Sequence, residues 1–595
     1  MSAPRSPSST IEVEWQLDAL DLRPVERWFA ARVSAAGENE VPAPGRVLVS
    51  LPGLEVTPRP AKRLLDEYFD TVDWRLGRSG HVLRTRQRLG RYEATLKDQA
   101  ASTDGLRRRL EVTEPLPTSS ISDLDPEGPV GRRVRALAGA RALRQVLEVR
   151  TRRRPFTLTV HGAPVGEVAL DDTVIVVGTD RHRLRLQRVE VEVLPAWVES
   201  LAPLVERLRI DCGLQPATLS KFEAGLLAAG VAIPRGPDLG STEITPASGI
   251  GDLAYAVLRK DAASMIAHEP GTRLGDDPED LHQMRVATRR LRAALALFEQ
   301  VLPVRAVRLR EELGWLAAVL GAVRDLDIQL ERIDGWTEDM SGDHHQALDE
   351  LGELLVRHHS KARVDLLEAL DSRRFERLAA GLAALLEAGP SRRIAAVQQN
   401  ALLVLPELIN ARHRSAKKAA RRAEHSGVVG DFHALRIRCK RLRYAIEFTD
   451  DLYRAEVKRY AKEIASLQDA LGLIQDAEMA AGRLQDVALS EEGELLSHRT
   501  IFAMGMVAQR CTSEVEKRLA ELRSVRKVVS GPGWHRAEAL MERRRAEAEE
   551  SIAKAAAAAT AARLVPVEGG GTGRLPGRVR STLPESVTPL RVTPS

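Results

Sequence analysis

Two periodicities divide the chain. From Ile11 to about Gly230, apolar and polar residues alternate in IEVEWQL, LRTRQRL, YEATLKD, RRLEVTE, FTLTVHG, PVGEVALDD, DTVIVVG and LQRVEVEVL, with Gly, Pro and Asp between the runs. A period of two belongs to strands with distinct faces, so these runs predict an antiparallel sheet. Helical stretches interrupt it near Arg23–Ala35, Arg132–Ala138 and Ala196–Leu208, which makes the region α+β. From Gly251 onward the period becomes helical. Helices of roughly ten to twenty residues are expected, punctuated at Pro278, Pro303, Gly335, Gly342, Pro390 and Gly427. Between the two regions, VAIPRGPDLGSTEITPASGI has neither period and reads as a linker. The expected division is an α+β domain at 10–231, a linker at 232–250, an all-α domain at 251–545, and an Ala-rich extension with a disordered tail at 546–595.

The residues that alternate in the first region are unusual. A half-buried sheet turns apolar side chains inward, yet one face here carries Glu12 and Glu14, Arg84 and Arg86, Thr95 and Lys97, Arg109 and Glu111, Arg150 and Arg152, and Glu190 and Glu192. Either these pairs face water over a core built by the opposite face, or they line a closed barrel as a polar tunnel of both signs.

In the helical region one unit occurs twice. Leu281–Ala293 and Phe432–Tyr444 share a plan, and at 100° per residue His282, Arg285, Arg289 and Arg292 form one narrow stripe, as do His433, Arg436, Lys440 and Arg443. Met284, Leu291 and Leu295 fall on the opposite side. An ordinary wet face mixes signs to gain pairs four residues apart. These stripes contain no carboxylate, and their self-repulsion asks for an external anion. Leu316, Leu320, Gly321 and Asp325 stand at the same offset from Leu467, Leu471, Gly472 and Asp476 as His282 does from His433. A constant offset predicts a pseudo-twofold axis that brings both stripes to one groove. The patches Arg412–Arg422 and Ser372–Arg377 are candidate extensions of it.

Length and composition narrow the partners. A chain of 595 residues exceeds one core. The formal net charge is only +5, so strong positive potential has to be local. Cys212, Cys439 and Cys511 are far apart, which suggests neither a disulfide framework nor a zinc site and fits a reducing cytoplasm. No run approaches the ~18 apolar residues of a membrane span, so no membrane partner is expected. His344, His345, His358 and His359 read as solvated helix surface, because adjacent helical histidines point about 100° apart.

The helical motifs resemble the CHAD domain, a conserved-histidine α-helical fold, over roughly 251–545. The resemblance implies two four-helix bundles with a basic surface for inorganic polyphosphate, on which His282, Arg285, Arg289, Arg292, His433, Arg436, Lys440 and Arg443 would face the anion. The ordered pairs of the first region resemble the CYTH family, the triphosphate tunnel metalloenzymes, over roughly 10–231. The motifs are Glu12-x-Glu14, Tyr68–Asp70, Leu83–Arg86, Thr95–Lys97, Arg109-x-Glu111, Arg150-x-Arg152, Leu170–Asp172, Glu190-x-Glu192 and Ser220-Lys221. That resemblance implies an eight-stranded antiparallel barrel binding a triphosphate with magnesium or manganese. Glu12, Glu14, Asp171, Glu190 and Glu192 would hold the metal, with Glu12 and Glu14 catalytic. Arg84, Arg86, Lys97, Arg109, Arg150, Arg152 and Lys221 would hold the phosphates. The family opens with Glu-x-Glu-x-Lys, and here the third position is Gln16. A lost charge-assisted contact costs on the order of 1.5–3 kcal/mol, which slows chemistry by roughly ten- to a hundredfold.

The expectation is a multidomain protein, tunnel followed by helical bundle, that binds polyphosphate and binds, with metal-dependent hydrolysis, a triphosphate. The alternative is a non-catalytic polyphosphate scaffold with a degenerate tunnel. Nucleic acid is a poorer match, because aromatics are 4% of the chain and only Tyr444 accompanies the stripes. A cytoplasmic location at polyphosphate granules would follow.

Overall fold

The computed structural model describes residues 8–35, 53–88, 90–99, 102–177, 182–338, 347–453, 455–522 and 524–563. The expected tail from 564 onward, and Gly342, His344 and His345, lie outside the described residues.

Among the described residues ten strands build the first lobe: β1 (Ser8–Ala19), β2 (Leu54–Pro58), β3 (Lys62–Thr71), β4 (His81–Arg88), β5 (Arg91–Asp98), β6 (Leu106–Leu116), β7 (Leu143–Val160), β8 (Ala163–Val177), β9 (His182–Val193) and β10 (Gln215–Pro216). Eight of them close into an antiparallel barrel in the order β1-β6-β5-β4-β3-β7-β8-β9, with β9 returning to β1. The two others pair outside this ring, β2 on β7 and β10 on β1. The helices are α1 (Arg23–Ala35), α2 (Arg75–Arg78), α3 (Pro129–Ala138), α4 (Val198–Cys212) and α5 (Lys221–Ala228).

Both faces of the strands are used, in the reverse of the usual order. Val13, Trp15, Leu17, Val168, Leu170, Val189 and Val191 point outward and are buried beneath α1 and α4. Leu83, Ala94, Leu96 and Val112 are covered likewise by α2 and α3. The apolar core therefore lies outside the barrel wall, and the charged face is left for the lumen. One end of the lumen is narrowed by α5, whose Phe222 and Leu226 pack on Tyr68, Leu147 and Val149. Ser220 caps α5 in a reciprocal capping box with Glu223, which fixes the direction in which Lys221 enters.

The second lobe is helical: α6 (Ile250–Leu274), α7 (Pro278–Leu297), α8 (Arg305–Glu338), α9 (Asp349–Asp371), α10 (Arg373–Ala388), α11 (Ala401–Ser426), α12 (Val429–Glu447), α13 (Ala455–Ala488), α14 (His498–Glu521), α15 (Val525–Ser530) and α16 (Pro532–Arg563). Gly335, expected as punctuation, sits inside α8. One continuous core joins α6–α13, α15 and α16. A smaller core gathers the distal ends of α8 and α13 with α9 and α14. Reciprocal ion pairs at the repeat offset link the long helices: Arg332 of α8 meets Asp476 at 3.4 Å, and Arg483 of α13 meets Asp325 at 3.4 Å. A pair and its mirror are what a pseudo-twofold arrangement of the two copies requires.

The connecting stretch is packed on both lobes. Pro234 lies against Gly77 of α2, Leu239 joins the helical core, and Ala401 N donates to Ser248 O at 3.0 Å. Arg75 reaches Glu376 at 3.1 Å, Arg141 reaches Glu376 at 2.6 Å, Arg133 reaches Asp276 at 2.7 Å, and Arg273 Nη1 donates to Ala136 O at 3.3 Å. The two lobes share an interface.

Candidate functional sites

The barrel lumen is a cavity of about 1850 Å³. Its wall is a set of ion pairs between neighbouring strands. Arg109 of β6 bridges Glu12, at 2.8 Å, and Glu14 of β1. Lys97 of β5 meets Glu12 at 2.9 Å and Glu111 at 2.6 Å. Arg86 of β4 clasps Asp66 of β3 with two bonds of 2.7 and 2.8 Å, and Arg84 lies 3.8 Å from the same carboxylate. Nearer α5, Arg153 of β7 holds Asp171 at 2.9 and 2.7 Å and also meets Glu190, while Lys221 contacts Asp171 and lies 3.0 Å from Glu190.

These pairings set the protonation of the wall. Burial pushes the Asp66 carboxyl up, but Arg86 and Arg84 outweigh it and hold it well below the usual range. Lys97 and Arg109 do the same for Glu12, and Lys221 and Arg153 for Glu190. Glu14 goes the other way: its burial, with Glu12 and Glu190 near, exceeds the pull of Arg109 and raises its pKa. Glu192 stands beside Glu14 in the β1–β9 register and forms no ion pair with any described residue. Partial desolvation inside the barrel, then Glu12 and Glu14, push its carboxyl up to about 7. Among the described residues no three carboxylate, imidazole or thiol groups converge as a ready-made metal cluster. The wall formed by Glu12, Glu14 and Glu192 nevertheless carries one carboxylate more than its cations balance, and its oxygen donors suit a hard divalent ion.

Gln16 occupies the third position of the opening motif and is 3% exposed. Its Nε2 donates to Glu14 at 2.6 Å, and its Oε1 accepts from Arg188 Nη1 at 3.3 Å. Arg188 is itself 1% exposed, anchored on Asp18 at 2.8 Å and on Leu219 O at 2.8 Å.

The helical lobe offers the second site. Lys440 of α12 lies among Arg436 and Arg443 of its own helix and Arg285 and Arg289 of α7, so the two stripes meet in one groove. Arg285 lies across Gly321, where a Cβ would come 3.5 Å from its Nε, and Arg436 lies across Gly472, where a Cβ would come 3.4 Å from its Nη2. The motif glycines thus make room for equivalent guanidinium groups. The Nε atoms of Arg285, Arg289, Arg324, Arg436 and Arg443 are buried and without a hydrogen bond to any described residue. The carboxylates nearby are distant: Asp325 is 3.9 Å from Arg285, and Glu447 is 3.5 Å from Arg443. By contrast Arg290, one residue from Arg289, is fully paired with Asp261 at 2.8 Å and Glu447 at 2.7 Å. Burial and the four arginines push the Lys440 ammonium down to about 7. Burial, with Arg324, Arg289 and Arg285, also lowers the pKa of His282. His433 is paired with Gln475 Oε1, which Arg436 also approaches at 3.4 Å. Arg292 is exposed further along the groove, where it acts on Arg441, itself close to Arg438 and Arg412 of α11. Of the second patch, Arg374 is tied to Glu312 at 2.5 Å and covers Trp315.

Several expectations need correction. Arg150 and Arg152, expected on the phosphates, are exposed on the outside of β7, Arg150 beside Glu148 at 2.6 Å. Period two places Leu147, Val149, Thr151 and Arg153 on the inner side, so Arg153 is the lumen residue of that run. Asp171, expected on a metal, is fully buried with both oxygens taken by Arg153 and Lys221, and Glu190 belongs to the same closed network. The runs PVGEVALDD and DTVIVVG are one strand, β8, because Asp171 is neutralised in the lumen and Asp172 is bonded outside to Arg185 at 2.9 Å. Asp66, Arg153, Arg188 and Arg324 were missed. Parity counted from the apolar residues of β3 and β7 would have found the first two, while the others needed tertiary neighbours. His358 is 2.9 Å from Glu492 and His359 is 2.8 Å from Asp327. No helix is long and apolar enough to cross a membrane among the described residues.

The CYTH domain family matches residues 45–225 and the CHAD domain family matches residues 256–485. β1, with Glu12 and Glu14, lies ahead of the first match. Among solved structures, the CHAD domain from the plant Ricinus communis is 28% identical, with 49% of this chain and 98% of that one covered and a TM-score of 0.39. PptA from Streptomyces chartreusis is 21% identical over 48% of this chain and 100% of that one, with a TM-score of 0.37. HpAC1 from Hippeastrum, named for adenylyl cyclase and said to have a dominant triphosphatase activity, is 17% identical over 38% and 98%, with a TM-score of 0.27. No curated protein sequence matches the chain. The two family matches, on a closed charged barrel and on a repeated helical array, make this chain a CYTH domain followed by a CHAD domain.

Proposed function

We propose that the protein binds condensed phosphate at two places, with inorganic polyphosphate held in the groove between α7 and α12 and a triphosphate bound and hydrolysed in the lumen. The observation that carries the reading is the groove itself. Arg285, Arg289, Arg436, Lys440 and Arg443 are gathered there with four guanidinium Nε atoms buried and unbonded. Such a cluster is costly when empty, and its repulsion is relieved by a polyanion that supplies many acceptors at once. The test is titration of the full chain with long inorganic polyphosphate, where saturable binding that weakens steeply with salt is expected and an absence of binding overturns the reading.

In the lumen, Arg84, Arg86, Lys97, Arg109 and Arg153 would exchange their carboxylate partners for phosphate oxygens. The forked donors of the four arginines would fix the orientation of the triphosphate, beside the point charge of Lys97. As Lys97 and Arg109 turn to the phosphates, Glu12 and Glu14 are released, and with Glu192 they would hold magnesium or manganese. A divalent cation bound there would neutralise charge on the phosphate oxygens. Gln16 holds Glu14 in place by its amide. Phosphate release from inorganic triphosphate, dependent on added magnesium or manganese, tests the hydrolysis.

A second reading drops the chemistry and keeps the binding. It is favoured by Gln16, which carries no charge where the CYTH opening motif has lysine. Pure protein that binds triphosphate but releases no phosphate with either metal would establish it. In both readings the protein would reside in the cytoplasm at polyphosphate granules.

A further inference from the structure

Among the described residues of the groove Lys440 is the lone amine, beside guanidinium and imidazole groups, and the equivalent position of the other helical copy is Arg289. It donates no hydrogen bond to a described residue, and α7 and α12 surround it with Arg285, Arg289, Arg436 and Arg443. The carboxylates of the neighbourhood address the arginines: Asp325 of α8 faces Arg285, Asp476 and Asp469 of α13 act on Arg436, and Glu447 faces Arg443. Arg324 of α8 adds a further positive charge beside Arg285. A primary amine thus sits unpartnered at the centre of donors that suit a phosphoryl group.

We propose that Lys440 is a site of phosphate-directed acylation, in which the four arginines hold the phosphoryl end of an acyl phosphate and the Lys440 amine attacks its acyl carbon. This rests on the groove's being a phosphate site. The new bond joins Nζ to the acyl carbon, and the bond from that carbon to the bridging oxygen breaks. The bonding pair leaves with phosphate, which takes the proton lost by the amine and departs as hydrogen phosphate. No oxidant or other reactant is needed.

The lowered basicity of its amine favours reaction here over other lysines. With the ammonium pushed down to about 7, about half of the side chain is free amine at pH 7. Lower basicity costs part of that advantage, as it does for thiols, and leaves roughly tenfold. An arriving dianion does not remove it, since four guanidinium charges outnumber two negative ones. The product is a neutral amide, so acylation removes a positive charge that a bound polyanion would use, and a fall of about tenfold in polyphosphate affinity is expected.

The experiment treats the full chain with acetyl phosphate or, in parallel, with acetic anhydride, and reads acetyl occupancy at each lysine by peptide mass spectrometry. Lys440 should be acetylated by acetyl phosphate at least roughly tenfold faster than the exposed Lys361 and Lys554, and inorganic tripolyphosphate should abolish that preference. Lys440→Arg should remove the signal. Equal rates at the three lysines overturn the proposal. If the anhydride selects Lys440 and acetyl phosphate does not, the arginines fail to hold phosphate and the groove reading falls with it. If neither reagent selects Lys440, the amine is unreactive and only the acylation fails.

Discussion

The lumen and the groove are both rich in arginine, yet they store their charge in opposite ways. In the lumen nearly every cation is held by a carboxylate of the next strand, as Arg86 is by Asp66 and Arg153 by Asp171. In the groove Arg289 and Lys440 have no ion-pair partner among the described residues, and four Nε atoms are orphaned. A ligand of the lumen must displace existing pairs, so binding there is an exchange. A ligand of the groove relieves repulsion already present. The first arrangement would favour selectivity for a short, well-shaped ligand, and the second would favour affinity for a long polyanion of sufficient charge density.

The strongest way to break this contrast is to reverse charge in the groove. Arg436→Glu with Arg443→Glu should weaken polyphosphate binding by roughly a thousandfold, since two charge-assisted contacts of about 1.5–3 kcal/mol each become repulsive. Circular dichroism should show unchanged helix content, and retained affinity would place the ligand elsewhere. In the lumen the matching change is Asp66→Asn, which leaves the buried Arg86 without its partner and should cost about 3–5 kcal/mol of stability near neutral pH. Because the folded Asp66 carboxyl lies below its unfolded pKa, its contribution is present above about pH 4 and lost as the pH falls further. Chemical denaturation of wild type and variant should therefore converge in acid.

Salt provides a smaller but sharper discrimination. With about five released counterions, polyphosphate affinity should drop roughly a hundredfold between about 50 and 200 mM salt. Triphosphate held in the lumen with magnesium should change much less, because its cations are already neutralised before binding. The smallest effect expected is that of pH. A bound polyanion raises the Lys440 pKa from about 7, so binding takes up a proton, and affinity should fall by about tenfold in all as the pH climbs from 7 toward 9. Calorimetry in buffers of different ionisation enthalpy reads that proton directly, and a flat profile would show that Lys440 stays clear of the ligand.

The helical half was the more legible from sequence. A stripe every 3.6 residues and a constant offset suffice to bring Arg285 and Arg436 into equivalent settings, and Gly321 and Gly472 share the offset because the guanidinium groups lie across them. What the offset did not reveal was the core shared by the two copies, since that depends on which apolar faces they turn toward each other. In the barrel the alternation was correct and its phase in β7 was not. Three consecutive arginines, Arg152, Arg153 and Arg154, conceal which parity points inward, and the answer lies in Val149 and Thr151. Pro155 lies within the same 18-residue strand, of which the alternation showed only the part from Phe156 onward. Gln16 was visible as a departure, whereas Arg188 behind it was not, because nothing local marks an arginine that will be enclosed by β1 and the segment before α5.

The bridging stretch at 232–250 and the contacts of Arg75, Arg133, Arg141 and Arg273 have a hydrodynamic consequence. Barrel and helical array should rotate in solution as one particle, with a single correlation time instead of the two faster ones of beads on a tether. A polymer threaded through both would then meet a fixed span, so the shortest chain able to occupy both ends at once is a ruler set by the fold.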